Sequence, residues 1–107
     1  MNKATSMTID GEEWVRADSI ADHSGEVRIV IGQRGWVWVG YWAQDGETVT
    51  LSRAKNIRKW GTTQGLGELV DGPLGATVLD PAGTVTMHIL GVVATLHADR
   101  DAWAGHL

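Results

Sequence analysis

The segment Trp36-Val37-Trp38-Val39-Gly40-Tyr41-Trp42 gathers the residues of this chain with the most distinctive chemistry. In an extended strand, side chains alternate between faces. Trp36, Trp38 and Trp42 then share one face with Gly40 between them, and Val37, Val39 and Tyr41 share the other. Indoles stack on planar rings at about 1 to 3 kcal/mol per base, and a glycine lets a ligand come close to the backbone. Arg34, Arg53, Lys55, Arg58 and Lys59 flank this strand in sequence, and Trp60 follows them. Guanidinium forks and ammonium groups are the donors that phosphate oxygens require. The candidate ligand-binding set is therefore Trp36, Trp38, Trp42, Arg34, Arg53, Arg58, Lys59 and Trp60, arranged as a slot for an anionic, ring-bearing ligand. The same three tryptophans equally suit a packed core face or an oligomer interface, because Trp buries much apolar area and is enriched at interfaces.

Other reactive groupings are sparse. His88, His97 and His106 are evenly spaced, with Asp99 and Asp101 nearby, but their nine-residue interval matches no metal-ligand spacing on a single element. Cysteine is absent, which removes disulfides, thiolate metal sites and thiol nucleophiles. No Gly-x-Ser-x-Gly elbow, His-Glu-x-x-His pair or phosphate-binding loop occurs. Gly65-Leu66-Gly67 lacks the third glycine and the preceding strand of a dinucleotide fingerprint. The expectation is a non-enzymatic protein with no cofactor and no metal.

The elements that must position the tryptophans follow from length and pattern. A chain of 107 residues with 43% apolar and 21% charged residues is expected to fold as one domain, residues 1–107. Six Trp against no Phe is an unusual way to fill a core. No apolar run is long enough for a membrane helix, and Met1 to Ser6 lacks the order of a secretory signal, so no membrane partner and an intracellular location are expected. Six basic and two acidic groups lie between residues 28 and 60, within a chain of net charge −4. Net acidity makes nucleic acid an unfavourable general partner, although a regulator using only the basic middle remains an alternative.

The expected fold is α+β: a small antiparallel sheet, a meander, with one or two short helices and a homo-oligomeric assembly. Met7 to Arg16 reads as a hairpin about Asp10-Gly11. Val27 to Ile31, Trp36 to Ala43 and Thr48 to Leu51 read as a three-strand meander over 27–51, on β-branched and aromatic enrichment between Gly and Asp turns. Across 52–75, Ala54, Ile57 and Trp60 recur every third residue, which predicts a short helical segment ended by Gly61, with a further turn burying Leu66, Leu69 and Val70. Ala76 to Leu79 reads as a strand, Asp80-Pro81-Ala82-Gly83 as a turn, and Thr84 to Leu96 as one or two strands bent at Gly91. A short helix closes the chain from Ala98.

Thr50-Leu51-Ser52-Arg53-Ala54 leading into Ile57 and Trp60-Gly61, followed by Leu66-x-x-Leu69 and a closing apolar strand near Thr95, resembles a family of small phage- and prophage-encoded proteins. Thr8 to Arg16 also looks like the opening hairpin of many phage accessory proteins. The resemblance spans about Val27 to Ala102. It departs from the family pattern at Arg58-Lys59, where the family is more aromatic, and in the spacing of Gly35 and Gly40. It implies a phage origin and the cytoplasm of an infected bacterial host, and not an activity. By analogy it implies a binding protein that sequesters a nucleotide-like host immune signal, the alternative being an interaction or assembly module.

Overall fold

A computed structural model of the protein describes residues 25–107. The hairpin expected over 7–16 and the connection after it lie outside the described residues. Five antiparallel strands form one sheet: β1 (Glu26–Gly32), β2 (Val37–Asp45), β3 (Thr48–Lys59), β4 (Val78–His88) and β5 (Val92–His97). A 3₁₀ turn over Leu66–Asp71 and an α-helix, α1 (Arg100–Ala104), complete the described residues together with two shorter 3₁₀ turns. The strand order is β4-β3-β2-β1-β5. The last strand therefore pairs with the first, on the far side of the sheet from its chain neighbour.

That order forces the sheet to curl. Four strand spacings across a flat sheet are about 19 Å, while the step from His88 to Val92 can span at most about 14 Å. The connector is the compact 3₁₀ turn Ile89–Gly91, which is shorter still. β4 and β5 can lie at opposite ends of the sheet only if the sheet bends until those ends approach.

Sequence dictates most of the pairing. β1 and β2 run together from Glu26↔Trp42 to Ile31↔Val37, and the connecting turn is closed by the Gly32 N–H donating to the Trp36 carbonyl at 2.7 Å. Asp45-Gly46 supplies the β2–β3 hairpin, with Gly46 at φ +61. Both sides of β1 and β2 are then covered. Val27, Ile29, Val37, Val39 and Tyr41 join Ile57, Leu66, Leu69 and Trp103 in the larger core. Val30, Leu51 and Ala54 form a second cluster on which Trp38, Trp42, Val85, Met87 and Val92 pack.

Trp103 holds the C-terminal segment to that larger core. It is fully buried, and its indole N–H donates to the Leu69 carbonyl at 2.8 Å, so burying the ring leaves no polar group unpaired. Asp99 caps α1 by accepting from the Asp101 and Ala102 N–H groups. Its own N–H donates to the Val70 carbonyl at 2.8 Å, which joins the helix to the 3₁₀ turn.

Two expectations fail, both because of bulges. Residues 52–59 continue as strand β3 and are not helical. Between Val39↔Lys55 and Tyr41↔Ser52, one residue of β2, Gly40, faces two of β3, Arg53 and Ala54, and the extra residue resets the alternation. Leu51 and Ala54 are buried on one face at three-residue spacing for that reason, while Ile57 is buried on the opposite face, in the larger core. Asp80 to Gly83 is likewise no turn. It lies inside β4, where the register against β3 shifts between Ala54↔Gly83 and Lys55↔Pro81. Pro81 is tolerated there because β4 is an end strand of the sheet.

Candidate functional site

Trp36, just before β2, and Trp38 and Trp42 within it share a face as their spacing requires, but they do not form a slot. Trp36 and Trp38 stack on each other, with ring centroids 6.0 Å apart and planes 11° from parallel. Inserting a ring between two others needs two contact layers, about 7 Å in all. The pair is therefore closed to an intercalating ligand. The Gly40 gap is closed as well: a Cβ there would lie 3.1 Å from the Ser52 carbonyl oxygen and 3.3 Å from the Ala54 Cβ. The bulged stretch of β3 occupies that space.

Each tryptophan has a different environment. Trp38 lies between Val30 of β1 and Asn56 of β3, and its ring reaches over Gly32, where a Cβ would come within 2.8 Å of it. Trp42 packs on the second cluster and carries the Arg28 guanidinium 4.4 Å from its ring centroid. Trp36 is the exposed member, at 56%. Its ring lies against Trp38 on one side, and more than half of the residue stays exposed.

Arg34, Gly35, Trp36, Val37, Asn56, Ile57 and Arg58 line an open depression of about 420 Å³. Asn56 is fixed there by its side-chain amide donating to the Val37 carbonyl at 3.1 Å. Arg58 projects from the same end of β3, with its Nε donating to Asp80 at 2.7 Å. Arg34 lies in the turn after β1, with φ +63 and ψ +19. Of the residues expected to bind ligand, the structure thus brings together Trp36, Trp38, Arg34 and Arg58.

The others lie apart from this depression. Arg53 is the other non-glycine residue at positive φ among the described residues, +52, and is exposed at the β3 bulge. Lys59 ends β3, and Trp60 follows it, 41% exposed, with its carbonyl held by the Thr77 hydroxyl at 2.7 Å. Trp42 is six residues along β2 from Trp36, about 20 Å in an extended strand.

Arg28 was missed by sequence reasoning. Its Nε donates to Glu26 Oε1 at 2.6 Å while its guanidinium covers Trp42. The Arg28 hydrogen bond lowers the Glu26 pKa below its ordinary value against a partial desolvation, and the charges of Arg28 and His97 add to the effect. The signal was a lone charge inside the run Val27-Arg28-Ile29-Val30-Ile31, which alternation places on the tryptophan face.

The histidines sit in separate places: His88 beside Glu47, His97 beside Glu26 and His106 edge-on to Trp103. Among the described residues, no three His, Asp or Glu side chains converge on a point that would hold a metal ion. No helix among them is long and apolar enough to cross a membrane. Comparison with protein-family models and with curated proteins returns no match for this chain.

Proposed function

We propose that the protein binds a small, flat, anionic ligand of nucleotide type, with its ring on the outer face of Trp36 and its charge on the arginines beside it. The observation that carries this reading is the exposed Trp36 ring, backed by Trp38 and lined by Arg34 and Arg58 in one depression. A stacked indole is rigid, so its free face is already oriented and little entropy is lost when a ring settles on it. The resemblance to phage-encoded proteins gives the setting: a non-enzymatic protein that sequesters a nucleotide-like signal in the cytoplasm of an infected bacterial host.

Calorimetric titration with AMP, cyclic AMP and ADP-ribose tests this. At least one should bind, and Trp36→Ala should lose that binding while melting within a few degrees of the wild type. Absence of heat from all three, or unchanged affinity in the folded variant, refutes the reading.

A second reading, as an interaction module or homo-oligomer, is favoured by the exposed apolar side chains Leu90 and Val93, at 80% and 66%, next to and within β5. A monomeric mass by light scattering at tens of micromolar, unchanged in Val93→Lys, counts against self-association.

A further inference from the structure

We infer that Arg34 is the specificity-determining residue of this depression, and that it selects a single terminal phosphate on a ligand with one base, as in a nucleoside monophosphate. The inference rests on the binding role proposed for Trp36 and assigns the chemistry of what binds there.

Backbone conformation is the first argument. A left-handed conformation is routine for glycine and costly for a residue with a Cβ. Among the described residues, six of the positive-φ positions are glycine, and the two that are not are both arginine. Arg34 is followed by Gly35, also at positive φ, where an added Cβ would meet nothing within 4 Å. A turn this open accepts glycine without loss of packing, and an arginine there burdens the fold. A strained residue that packing does not require points to a use for its side chain.

The second argument is availability. Arg28 is engaged by Glu26 and Trp42, and Arg58 by Asp80. Among the described residues, Arg34 makes no ion pair or side-chain hydrogen bond, so it is the uncommitted cation of the depression. Its planar fork matches phosphate geometry.

The third is the count of stacking faces. The Trp36–Trp38 pair is closed at 6.0 Å, and Trp42 is already covered by Arg28. One open ring face and one uncommitted guanidinium in a single depression fit one base and one phosphate. A sandwiched pair of bases has no place there.

The test is calorimetry with AMP, GMP, CMP and UMP and their parent nucleosides, on the wild type, Arg34→Gly and Arg34→Lys. The best monophosphate should bind the wild type at least about 10-fold more tightly than its nucleoside, the scale of a hydrogen bond to a charged group. Arg34→Gly should erase that preference, and Arg34→Lys should restore part of it as a point charge. The melting temperature of Arg34→Gly should equal or exceed that of the wild type. Equal affinity for nucleoside and monophosphate, a preference that survives in Arg34→Gly, or a lower melting temperature in that variant overturns the role of Arg34 and leaves the stacking role of Trp36 standing. No binding of any monophosphate or nucleoside overturns the role of Arg34, and with no response to cyclic AMP or ADP-ribose either it overturns that of Trp36 as well.

Discussion

Substituting Gly61 by Ala tests how the long segment between β3 and β4 is fastened beside Trp60. Gly61 has φ +69, and a Cβ there would lie 2.4 Å from the Ala76 carbonyl carbon and 2.5 Å from the Thr77 nitrogen. These are backbone atoms, so no rotamer change relieves the overlap. Gly46, at φ +61 with nothing within 4 Å of an added Cβ, provides the control. There, Ala costs about 1 to 2 kcal/mol for the left-handed backbone, offset by about 0.4 to 1 kcal/mol from a less flexible unfolded chain. Gly46→Ala should therefore cost roughly 1 kcal/mol.

At Gly61 the same backbone term applies, and the Ala76–Thr77 peptide must also move. Thr77 donates through its hydroxyl to the Trp60 carbonyl, accepts from the Leu74 N–H at 2.9 Å, and donates its own N–H to the Leu74 carbonyl at 3.1 Å. Overpacking costs about 1 to 3 kcal/mol, and each of these bonds about 0.5 to 1.5 kcal/mol when lost. The expected total is about 3 to 5 kcal/mol, a large share of the ~5 to 15 kcal/mol that holds a domain folded. At about 4 to 8 °C per kcal/mol for a domain near this size, Gly46→Ala should melt about 5 °C below wild type and Gly61→Ala more than about 12 °C below it. Circular dichroism melts and urea titrations read both. Equal losses in the two variants would show that the close approach of residue 61 to Ala76 and Thr77 does not exist.

Trp103→Phe keeps most of the buried ring but removes one of the two donors to the Leu69 carbonyl, which keeps the Gly72 N–H at 3.1 Å. The lost bond and the space left by the smaller ring should lower stability by about 1 to 3 kcal/mol in urea titration, whereas Trp36→Phe should change it by less than about 0.5 kcal/mol. Arg28→Gln removes the cation from Trp42 and should cost no more than about 1 kcal/mol, with a shift in tryptophan emission absent from a Trp42→Phe background. The pKa of Glu68 is also lowered. Partial desolvation pushes it up, but the N–H groups of Gln64, Thr63 and Gly65 and the Thr63 hydroxyl outweigh that and hold it below 4.5. A depressed folded-state pKa gives stability that is present above the unfolded value of 4.5 and lost as pH falls through the folded pKa. Glu68→Gln should therefore destabilise at pH 7 and converge on the wild type in acid, and a difference independent of pH in urea titrations from pH 7 to 2.5 would refute the assignment.

The first three strands were legible because their signals are local. β-branched runs supply the pleat, and Asp45-Gly46 supplies the positive φ of the hairpin. What escaped was nonlocal. The three-residue recurrence of Ala54, Ile57 and Trp60 copies a helical period, and only pairing with β2 and β4 shows Ala54 and Ile57 to lie in a strand, on opposite faces, with Trp60 just past its end. Asp80-Pro81-Ala82-Gly83 has the composition of a turn, and only its position on an end strand lets it remain extended. Trp103 gave no sign of being central to the core, since its indole N–H finds its acceptor 34 residues away in sequence. Alternation correctly put Trp36, Trp38 and Trp42 on one face but could not rank their exposure, because the neighbours that cover them belong to other strands.

Register supplies that ranking and explains why the candidate site lies at Trp36. Trp38 is flanked on both sides, by Val30 and Asn56, and Trp42 by Glu26 and Leu51. Trp36 precedes the first paired residue of β2, at the point where β1 has already turned away through Gln33–Gly35. Its β1-side neighbour is Gly32, which has no side chain to cover it. Exposure of Trp36 therefore depends on the small residue at 32 more than on its own strand position. Gly32→Leu should then bury part of the Trp36 ring and displace Trp38, whose ring a Cβ at 32 already meets at 2.8 Å. Acrylamide quenching should fall in that variant, and nucleotide binding should weaken with it. Quenching that stays at the wild-type level while the fold persists would mean that something other than the missing side chain at Gly32 keeps Trp36 open.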